Sequence, residues 1–290
     1  MKSRWNTVLP YLMISPYVFI YLLFILVPLI WVFYMSFTDY NPMKAGVWVG
    51  LKNYRQLLND QIFHAAFRNT MVYWLFTVIP SMALGLSAAI FLNLKTRGVS
   101  LFRALIYLPG VMSGVAVAMT WLWLYNPRGG PINGILQTFG ITGADWLRNT
   151  STALPAVIVV GIWMGIGYCM IIYLAGLQGI PEQLYEAADI DGASRGRQFI
   201  SITVPLLKPI TFFLFIICTI NSFQVFDIVY VMTGGGPANR TNTIVNEIVS
   251  TGFRTFNMGY ASTIAIFLLL ITFLFTAVNY KMNSKQSDLA

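Results

Sequence analysis

Two groups of aromatic and polar side chains interrupt long apolar stretches of the sequence, between residues 149 and 181 and between residues 209 and 226. An aromatic ring can cover the C–H side of a polyhydroxyl solute, while amides and hydroxyls match its hydroxyl groups. Polar side chains at such depth usually face a bundle interior or a wet cavity. The alternative is that they only form hydrogen bonds between helices, worth ~0.6 kcal/mol each. The candidate solute-pathway residues are Trp163, Gly165, Tyr168, Asn221, Ser222 and Gln224.

The remaining reactive side chains favour neither a metal site nor catalysis. Cys169 and Cys218 lie inside apolar runs and are predicted to be buried small hydrophobic residues rather than a disulfide or metal ligands. His64 is the single histidine and has no cysteine at ligand spacing. An enzyme would need a nucleophile, a base or a metal cluster near the membrane interface, and the scattered carboxylates do not supply one. We therefore predict no metal site and no catalytic residue.

A compact charged segment, residues 181–205, lies between the two apolar stretches. Pro181 can occupy the first turn of a helix without losing a hydrogen bond, and acidic residues follow it near the positive end of that helix. Ala187 and Ala188 would let a partner approach closely, and Gly192 permits a sharp change of direction. Val204-Pro205 is predicted to turn the chain back towards the membrane. The segment either docks on another protein or lies on lipid headgroups.

Composition decides the class of protein that must position these groups. Of 290 residues, 57% are hydrophobic and 10% are charged, whereas soluble domains carry roughly 25% charged residues. So few charges cannot cover a soluble globule, and we therefore predict an integral membrane protein. The net charge of +8 comes from Lys and Arg in short segments beside apolar runs, which is how membrane topology is encoded. Nucleic acid is therefore not an expected partner.

Charges divide the chain into six apolar runs, each long enough to cross ~30 Å of hydrocarbon. We predict one all-α transmembrane domain over residues 1–290, in which the first run is retained rather than cleaved as a signal peptide. Basic residues are denser in the short loops if both chain ends are cytoplasmic, which favours an N-in/C-in orientation. The predicted spans cover about residues 9–37, 69–94, 104–125, 152–179, 207–228 and 258–280.

Two further patterns concern packing and turns. Small residues four apart, Ser81 with Gly85 and Gly161 with Gly165, predict close helix contacts, more readily within one subunit than in a dimer. The run Thr233–Pro237 is a turn by composition and is predicted to be a flexible exit from the fifth span. It is not followed by the Gly-Lys-Ser/Thr of a phosphate-binding loop.

The charged segment carries a recognisable motif. Glu186-Ala187-Ala188, then Gly192 after three residues, then Ile202 and Pro205, resembles the EAA motif of permease subunits of binding-protein-dependent ABC importers. Val204 stands where the family usually has Leu. Other matches look like the carbohydrate-uptake branch, the relatives of the maltose permease, and the likeness covers most of the chain. They are Asn53-Tyr54, Gly130-Pro131-Ile132-Asn133, Ile180-Pro181 and Gly235-Gly236-Pro237.

The resemblance implies a cytoplasmic coupling helix between spans four and five that docks on a separate ATPase subunit. No Walker A pattern occurs in the sequence. The chain is therefore expected to be a non-enzymatic transport subunit that binds no cofactor itself, with ATP and Mg²⁺ held by the partner ATPase. Its expected location is a prokaryotic inner or plasma membrane, which it crosses several times. The predicted ATPase-coupling residues are Glu186, Ala187, Ala188, Asp189, Gly192 and Ala193.

The resemblance also implies the other partners and the substrate. A second homologous permease, a dimer of ATPase subunits and an extracytoplasmic solute-binding protein are expected. In maltose-type relatives the fourth and fifth spans contribute the sugar site, where Gly165 and Tyr168 match and Ser222 matches in polarity only. The branch also handles polyols and glycerol phosphates. No apolar run contains an Arg or Lys that would face an anionic solute, which favours a neutral di- or oligosaccharide over a glycerol phosphate, although the partner subunit could supply the charge. The main sugar site could also lie in the partner permease.

The rival hypothesis is an ion-coupled secondary transporter or channel subunit for a small polar solute. Such carriers generally place an Asp, Glu or His within a span. None of the six apolar runs contains one, and Asp227 only borders the fifth run. The sequence thus favours the ATP-driven class.

Overall fold

The computed structural model describes residues 4–44, 46–93 and 98–287. Regular secondary structure in this part of the chain is helical, with no β-strand, as the sequence predicts. Residue 94, where the second predicted span ends, and the basic residues Lys95 and Arg97 lie outside the described residues.

The described residues form fourteen α-helices and three wider helical turns that directly adjoin some of them. The wider turns cover Leu22–Leu26, Phe199–Thr203 and Ser250–Arg254. The α-helices are α1 (Arg4–Tyr21), α2 (Val27–Met35), α3 (Lys52–Asn59), α4 (Gln61–Leu92), α5 (Val99–Val111), α6 (Gly114–Leu124), α7 (Pro131–Thr138), α8 (Ala153–Gln178), α9 (Glu182–Ile190), α10 (Arg195–Gln198), α11 (Val204–Phe223), α12 (Asp227–Met232), α13 (Ile244–Val249) and α14 (Met258–Ser287).

Five helical stretches in the described part are long and apolar enough to cross a bilayer by themselves. Each coincides with a predicted span: the first, second, fourth, fifth and sixth. The shortest has 24 residues, more than the ~20 that a spanning helix needs. The stretches are Leu9–Met35, Gln61–Leu92, Ala153–Gln178, Arg195–Met232 and Met258–Lys281.

The third predicted span, 104–125, is not one continuous helix. It is divided into α5 and α6, which meet at an angle of 99° and together qualify as a sixth, broken span. Pro109 lies in the last turn of α5, where it has no N–H for the helix. Met112 then takes an extended conformation, with ψ 151°. A Cβ on Gly114, the first residue of α6, would lie 3.0 Å from Asp227 Oδ2. The backbone at the start of α6 therefore packs closely against the Asp227 side chain.

The start of the fifth span also differs from expectation. Val204-Pro205 does not turn the chain, because α10, the wider turn Phe199–Thr203 and α11 follow one another without a break. The N–H of Val204 bonds the carbonyl of Phe199, five residues earlier. Pro205 lies in the first turn of α11, where its missing N–H costs little. A helical path therefore leads from the charged segment directly into the membrane helix.

The chain divides into two compact units, and the first contains α1 to α3 with residues 247–270. The amide of Asn53 in α3 donates hydrogen bonds to the carbonyls of Ser36 at 3.0 Å and Thr38 at 2.9 Å. The hydroxyl of Thr263 in α14 donates to the same Ser36 carbonyl at 3.1 Å. These bonds satisfy carbonyls at the end of α2 that have no N–H partner within the helix.

The second unit contains residues 61–246 and those from 271 onward, and it has two buried apolar clusters. One joins α4, α6, α8 and α12 around Tyr73, Val117, Val157 and Val229. The other joins α4, α8 and α11 around Val78, Met82, Met170, Leu207 and Leu214. Helices α4 and α8 contribute to both clusters and so form the centre of this unit.

Small residues allow α4 and α8 to pack closely. A Cβ on Gly85 would lie 2.5 Å from the Cβ of Cys169, and one on Gly165 would lie 2.8 Å from the hydroxyl of Ser81. The predicted close contact within one subunit is thus confirmed. Cys169 is buried and free, and its Sγ lies 3.7 Å from the Sγ of Cys218 on α11.

Residues 233–246 form a well-anchored segment rather than the predicted flexible exit. The buried hydroxyl of Thr241 donates to the carbonyl of Gly236 at 2.6 Å. The amide of Asn69 on α4 donates to the carbonyls of Asn239 at 2.7 Å and Asn242 at 3.0 Å. A turn-forming composition therefore does not mean mobility here.

Candidate functional site

The charged segment forms two short helices joined by a tight turn, which confirms the helix predicted after Pro181. Helix α9 covers Glu182–Ile190. Helix α10 begins after Ser194, whose hydroxyl accepts a hydrogen bond from the N–H of Arg197 at 3.4 Å. Helix α10 is short and continues into the wider turn Phe199–Thr203. All six predicted coupling residues lie on α9 or in the turn that follows it.

The turn after α9 has the hydrogen bonds of a glycine-terminated helix end. The N–H of Ala193 bonds the carbonyl of Ala188 at 2.9 Å, and that of Gly192 bonds the carbonyl of Asp189 at 3.1 Å. Gly192 has φ +73°, a left-handed conformation that costs other L-residues roughly 1–2 kcal/mol. No atom lies within 4 Å of a Cβ placed on Gly192. The backbone conformation, not lack of space, therefore calls for glycine.

Helix α9 buries none of its residues. Glu186, Ala187, Asp189 and Gly192 are exposed, and Ala188 and Ala193 are partly buried. Ile190 is 87% exposed. A short helix with small side chains and an uncovered isoleucine presents a surface that another protein could contact.

Two side-chain bridges hold this segment, and neither is predicted from the sequence. Gln198 is 3% exposed. Its side-chain amide donates hydrogen bonds to Asp189 Oδ1 and to the carbonyl of Ala193. The Tyr185 hydroxyl lies 2.8 Å from the hydroxyl of Thr203. Sequence reasoning missed Gln198 because a bridging amide follows no helical periodicity. Its position in a strongly charged segment also did not indicate that it would be buried.

The three pathway candidates on α8 have different surroundings. Trp163 is 39% exposed, and its ring meets that of Trp121 edge to face at a centroid distance of 5.6 Å. Gly165 packs against Ser81 on α4. Tyr168 is partly buried and packs against the apolar cluster between α4, α8 and α11. Of these three, Trp163 alone has a large exposed surface.

The three candidates at the end of α11 differ likewise. Asn221 and Gln224 are exposed, although Gln224 is the residue after the helix rather than part of it. Ser222 is 5% exposed, and its hydroxyl has no hydrogen-bond partner among the described residues. A buried polar atom without a partner is uncommon in proteins.

A cavity of about 750 Å³ lies in the second unit, and none of the six pathway candidates lines it. Its wall combines the end of α6, the segment before α8 and the start of the 233–246 segment. The charged residues among its lining are Arg128, Asp145 and Arg148, and Tyr125 is also part of the wall.

The fold and the exposed segment define a helical protein with several membrane-spanning helices. Residues 81–287 match the family described as "Binding-protein-dependent transport system inner membrane component". The match covers more than half of the chain, and the chain belongs to this family.

Individual relatives match nearly the full length of this chain. The trehalose/maltose transport system permease protein MalF of Thermococcus litoralis is 35% identical over 97% of this chain and 95% of its own. The sn-glycerol-3-phosphate transport system permease protein UgpA of Agrobacterium fabrum is 32% identical over 97% of this chain and 96% of its own. A bacterial alginate ABC transporter, crystallised with an alginate pentasaccharide-bound periplasmic protein, contains a chain with TM-score 0.86 and 23% identity. That match covers 97% of both chains and shows the shared fold.

These findings confirm the predicted family, the multi-pass location in a prokaryotic inner membrane, and the role of a transport subunit without enzymatic activity. The motif that identified the family at residues 186–205 lies within the matched range.

Proposed function

We propose that this chain is one permease subunit of an ATP-driven, binding-protein-dependent sugar importer. Six spans cross the membrane with both chain ends in the cytoplasm, and the bent pair α5 and α6 forms the third. The observation that carries the proposal is the exposed turn between α9 and α10. After this turn, α10 continues without a break through the wider turn into the membrane helix α11.

The segment 181–205 couples transport to a separate ATPase dimer. Glu186, Ala187, Ala188, Asp189, Gly192 and Ala193 contribute the docking surface. The small side chains allow close approach, and Gly192 sets the direction of the chain after α9. ATP and Mg²⁺ bind to the partner, whose closure moves the docked segment. A second homologous permease completes the pathway, and an extracytoplasmic solute-binding protein delivers the substrate.

A glycine pair of matched geometry tests the coupling role. Gly192 and Gly140 have φ +73° and +74°, and a Cβ added to either would meet no atom within 4 Å. Gly192→Asp and Gly140→Asp therefore impose the same backbone strain. We expect the ATPase subunit to co-purify with the Gly140→Asp complex as with wild type, and uptake to be lost only in Gly192→Asp. Normal uptake in Gly192→Asp would refute the docking role.

The substrate is a neutral di- or oligosaccharide that contacts Trp163, Gly165, Tyr168, Asn221, Ser222 and Gln224. The relative that transports trehalose and maltose supports this class. The glycerol-phosphate relative represents the alternative class of substrate.

Uptake of radiolabelled trehalose, maltose and sn-glycerol-3-phosphate by the complete importer separates these classes. We expect sugar uptake, and we expect the double variant Tyr168→Ala with Gln224→Ala to reduce it. Unchanged sugar uptake in that variant would place the main site in the partner permease. Uptake that persists after ATP depletion and stops when the ion gradient is removed would instead identify a secondary transporter.

A further inference from the structure

The attachment of α9 to the rest of the protein is unusual for a helix that transmits force. None of its residues is buried, so apolar packing does not fix its position. Its partly buried residues are Tyr185 and Ala188. A helix held only by its chain ends would rotate about the turn at 191–194 when a partner pushed it.

Both side-chain bridges connect α9 to the same short stretch of chain. Gln198 is the last residue of α10, and its amide bonds Asp189 on α9 and the carbonyl of Ala193 in the turn. Thr203, the partner of Tyr185, is the last residue of the wider turn. The bridges therefore hold both ends of Phe199–Thr203 against α9.

That stretch leads directly into α11. Since α10, the wider turn and α11 follow without a break, a displacement of α9 passes through the bridges to a helix of 20 residues, ~30 Å long. Arg195 also approaches Asp189, at 3.9 Å, but the two side chains are 85% and 51% exposed. Solvent screens such a pair, so it adds little to the connection.

We propose that Gln198 is a positioning residue that, together with the Tyr185–Thr203 bridge, makes α9 and the base of α11 move as one body. This inference rests on the proposed docking of the ATPase on α9. Gln198 itself faces inward and does not contribute the docking surface. Its loss leaves the partner bound while the turn at 191–194 absorbs the movement.

Hydrogen exchange on the complete importer tests this without knowledge of the substrate. The ATPase carries a substitution that permits ATP binding without hydrolysis, and exchange is compared with and without ATP. In wild type we expect ATP to change exchange both in α9 and in residues 199–210. In Gln198→Ala we expect the ATPase to co-purify and α9 to respond as before. The ATP-dependent change in 199–210 should fall roughly tenfold, as expected for the loss of one buried hydrogen-bonded partner.

Three further variants separate positioning from general destabilisation. Gln178→Ala removes an exposed amide from the end of α8 and should behave as wild type. Thr203→Val removes a bridging hydroxyl and should reproduce the defect, whereas Thr203→Ser retains the hydroxyl and should restore the ATP response. An unchanged response of 199–210 in Gln198→Ala would overturn the inference. Failure of the wild-type complex to bind the ATPase would overturn the proposed function instead.

Discussion

The two ends of α11 are connected to the protein by opposite means. At its beginning, the segment formed by α9 and α10 is charged, exposed and tied by a few side-chain bridges. Beyond its end, the segment 233–246 is almost uncharged and is held by buried amides and hydroxyls. Each of Thr241, Asn242, Thr243 and Asn246 is at most 5% exposed.

The two ends of α11 therefore differ in the cost of displacing the segment beside them. Buried hydrogen bonds are expensive to break, because each orphaned group loses its partner without gaining water. A segment with little buried surface can instead shift as a unit without exposing its interior. We therefore expect substitutions in 233–246 to reduce stability and substitutions around α9 to reduce coupling.

The largest expected contrast is between two glycines with positive φ, Gly235 at +91° and Gly192 at +73°. A Cβ on Gly235 would lie 2.7 Å from the Asn246 amide nitrogen, whereas one on Gly192 meets no atom within 4 Å. Gly235→Ala should lower the free energy of unfolding by about 3 kcal/mol, from backbone strain plus overpacking. Gly192→Ala should lower it by about 1–2 kcal/mol, from strain alone. Thermal unfolding in detergent measures both, and equal losses would contradict the comparison.

The amide of Asn69 provides the next test, because it donates to two carbonyls of the 233–246 segment. Asn69→Ala leaves both carbonyls without this donor and should cost about 2–3 kcal/mol. Asn59→Ala is the matched control, since its amide is exposed and bonds the Arg55 carbonyl within its own helix. Comparable melting temperatures for the two variants would show that the segment is not anchored through Asn69.

A single hydroxyl gives a smaller effect. Thr241→Val removes the bonds to the Gly236 carbonyl and the Thr233 hydroxyl and should cost about 1–2 kcal/mol. The exposed hydroxyl of Thr138, which bonds the Ile135 carbonyl, is the control for Thr→Val. We expect Thr138→Val to unfold at nearly the wild-type temperature, and a larger loss there than in Thr241→Val would reverse the expected order.

The smallest effect is expected for Arg195→Ala. Its pair with Asp189 spans 3.9 Å between largely exposed side chains, so its removal should change stability by less than about 0.5 kcal/mol. Coupling should persist because the Gln198 bridge is retained. A loss of coupling as large as that in Gln198→Ala would mean that the ion pair, not the amide, connects the two helices.

Much of the fold could be predicted because its signals are local. Uncharged runs located five helices that match predicted spans, since burying a charge in hydrocarbon is costly wherever it occurs. The bend at Met112 was missed, although Pro109 and Gly114 lie beside it. Periodicity and hydropathy do not distinguish a straight span from a broken one of equal composition. The turn predicted at Val204-Pro205 was wrong for a related reason. Proline is tolerated in the first turn of a helix, so its presence can mark the start of a helix as well as the end of one.

The sequence by itself determined the class, the family and the place of the charged segment, because charge, apolar length and the Glu186–Pro205 motif are all read along the chain. Only the tertiary structure decided that Gln198 reaches Asp189, that Asn69 holds a loop some 170 residues away in sequence, and that Ser222 is buried with no partner among the described residues. Such contacts depend on which backbone atoms the fold brings within about 3 Å of a side chain. No local pattern specifies that distance, since it results from the packing of all the helices together.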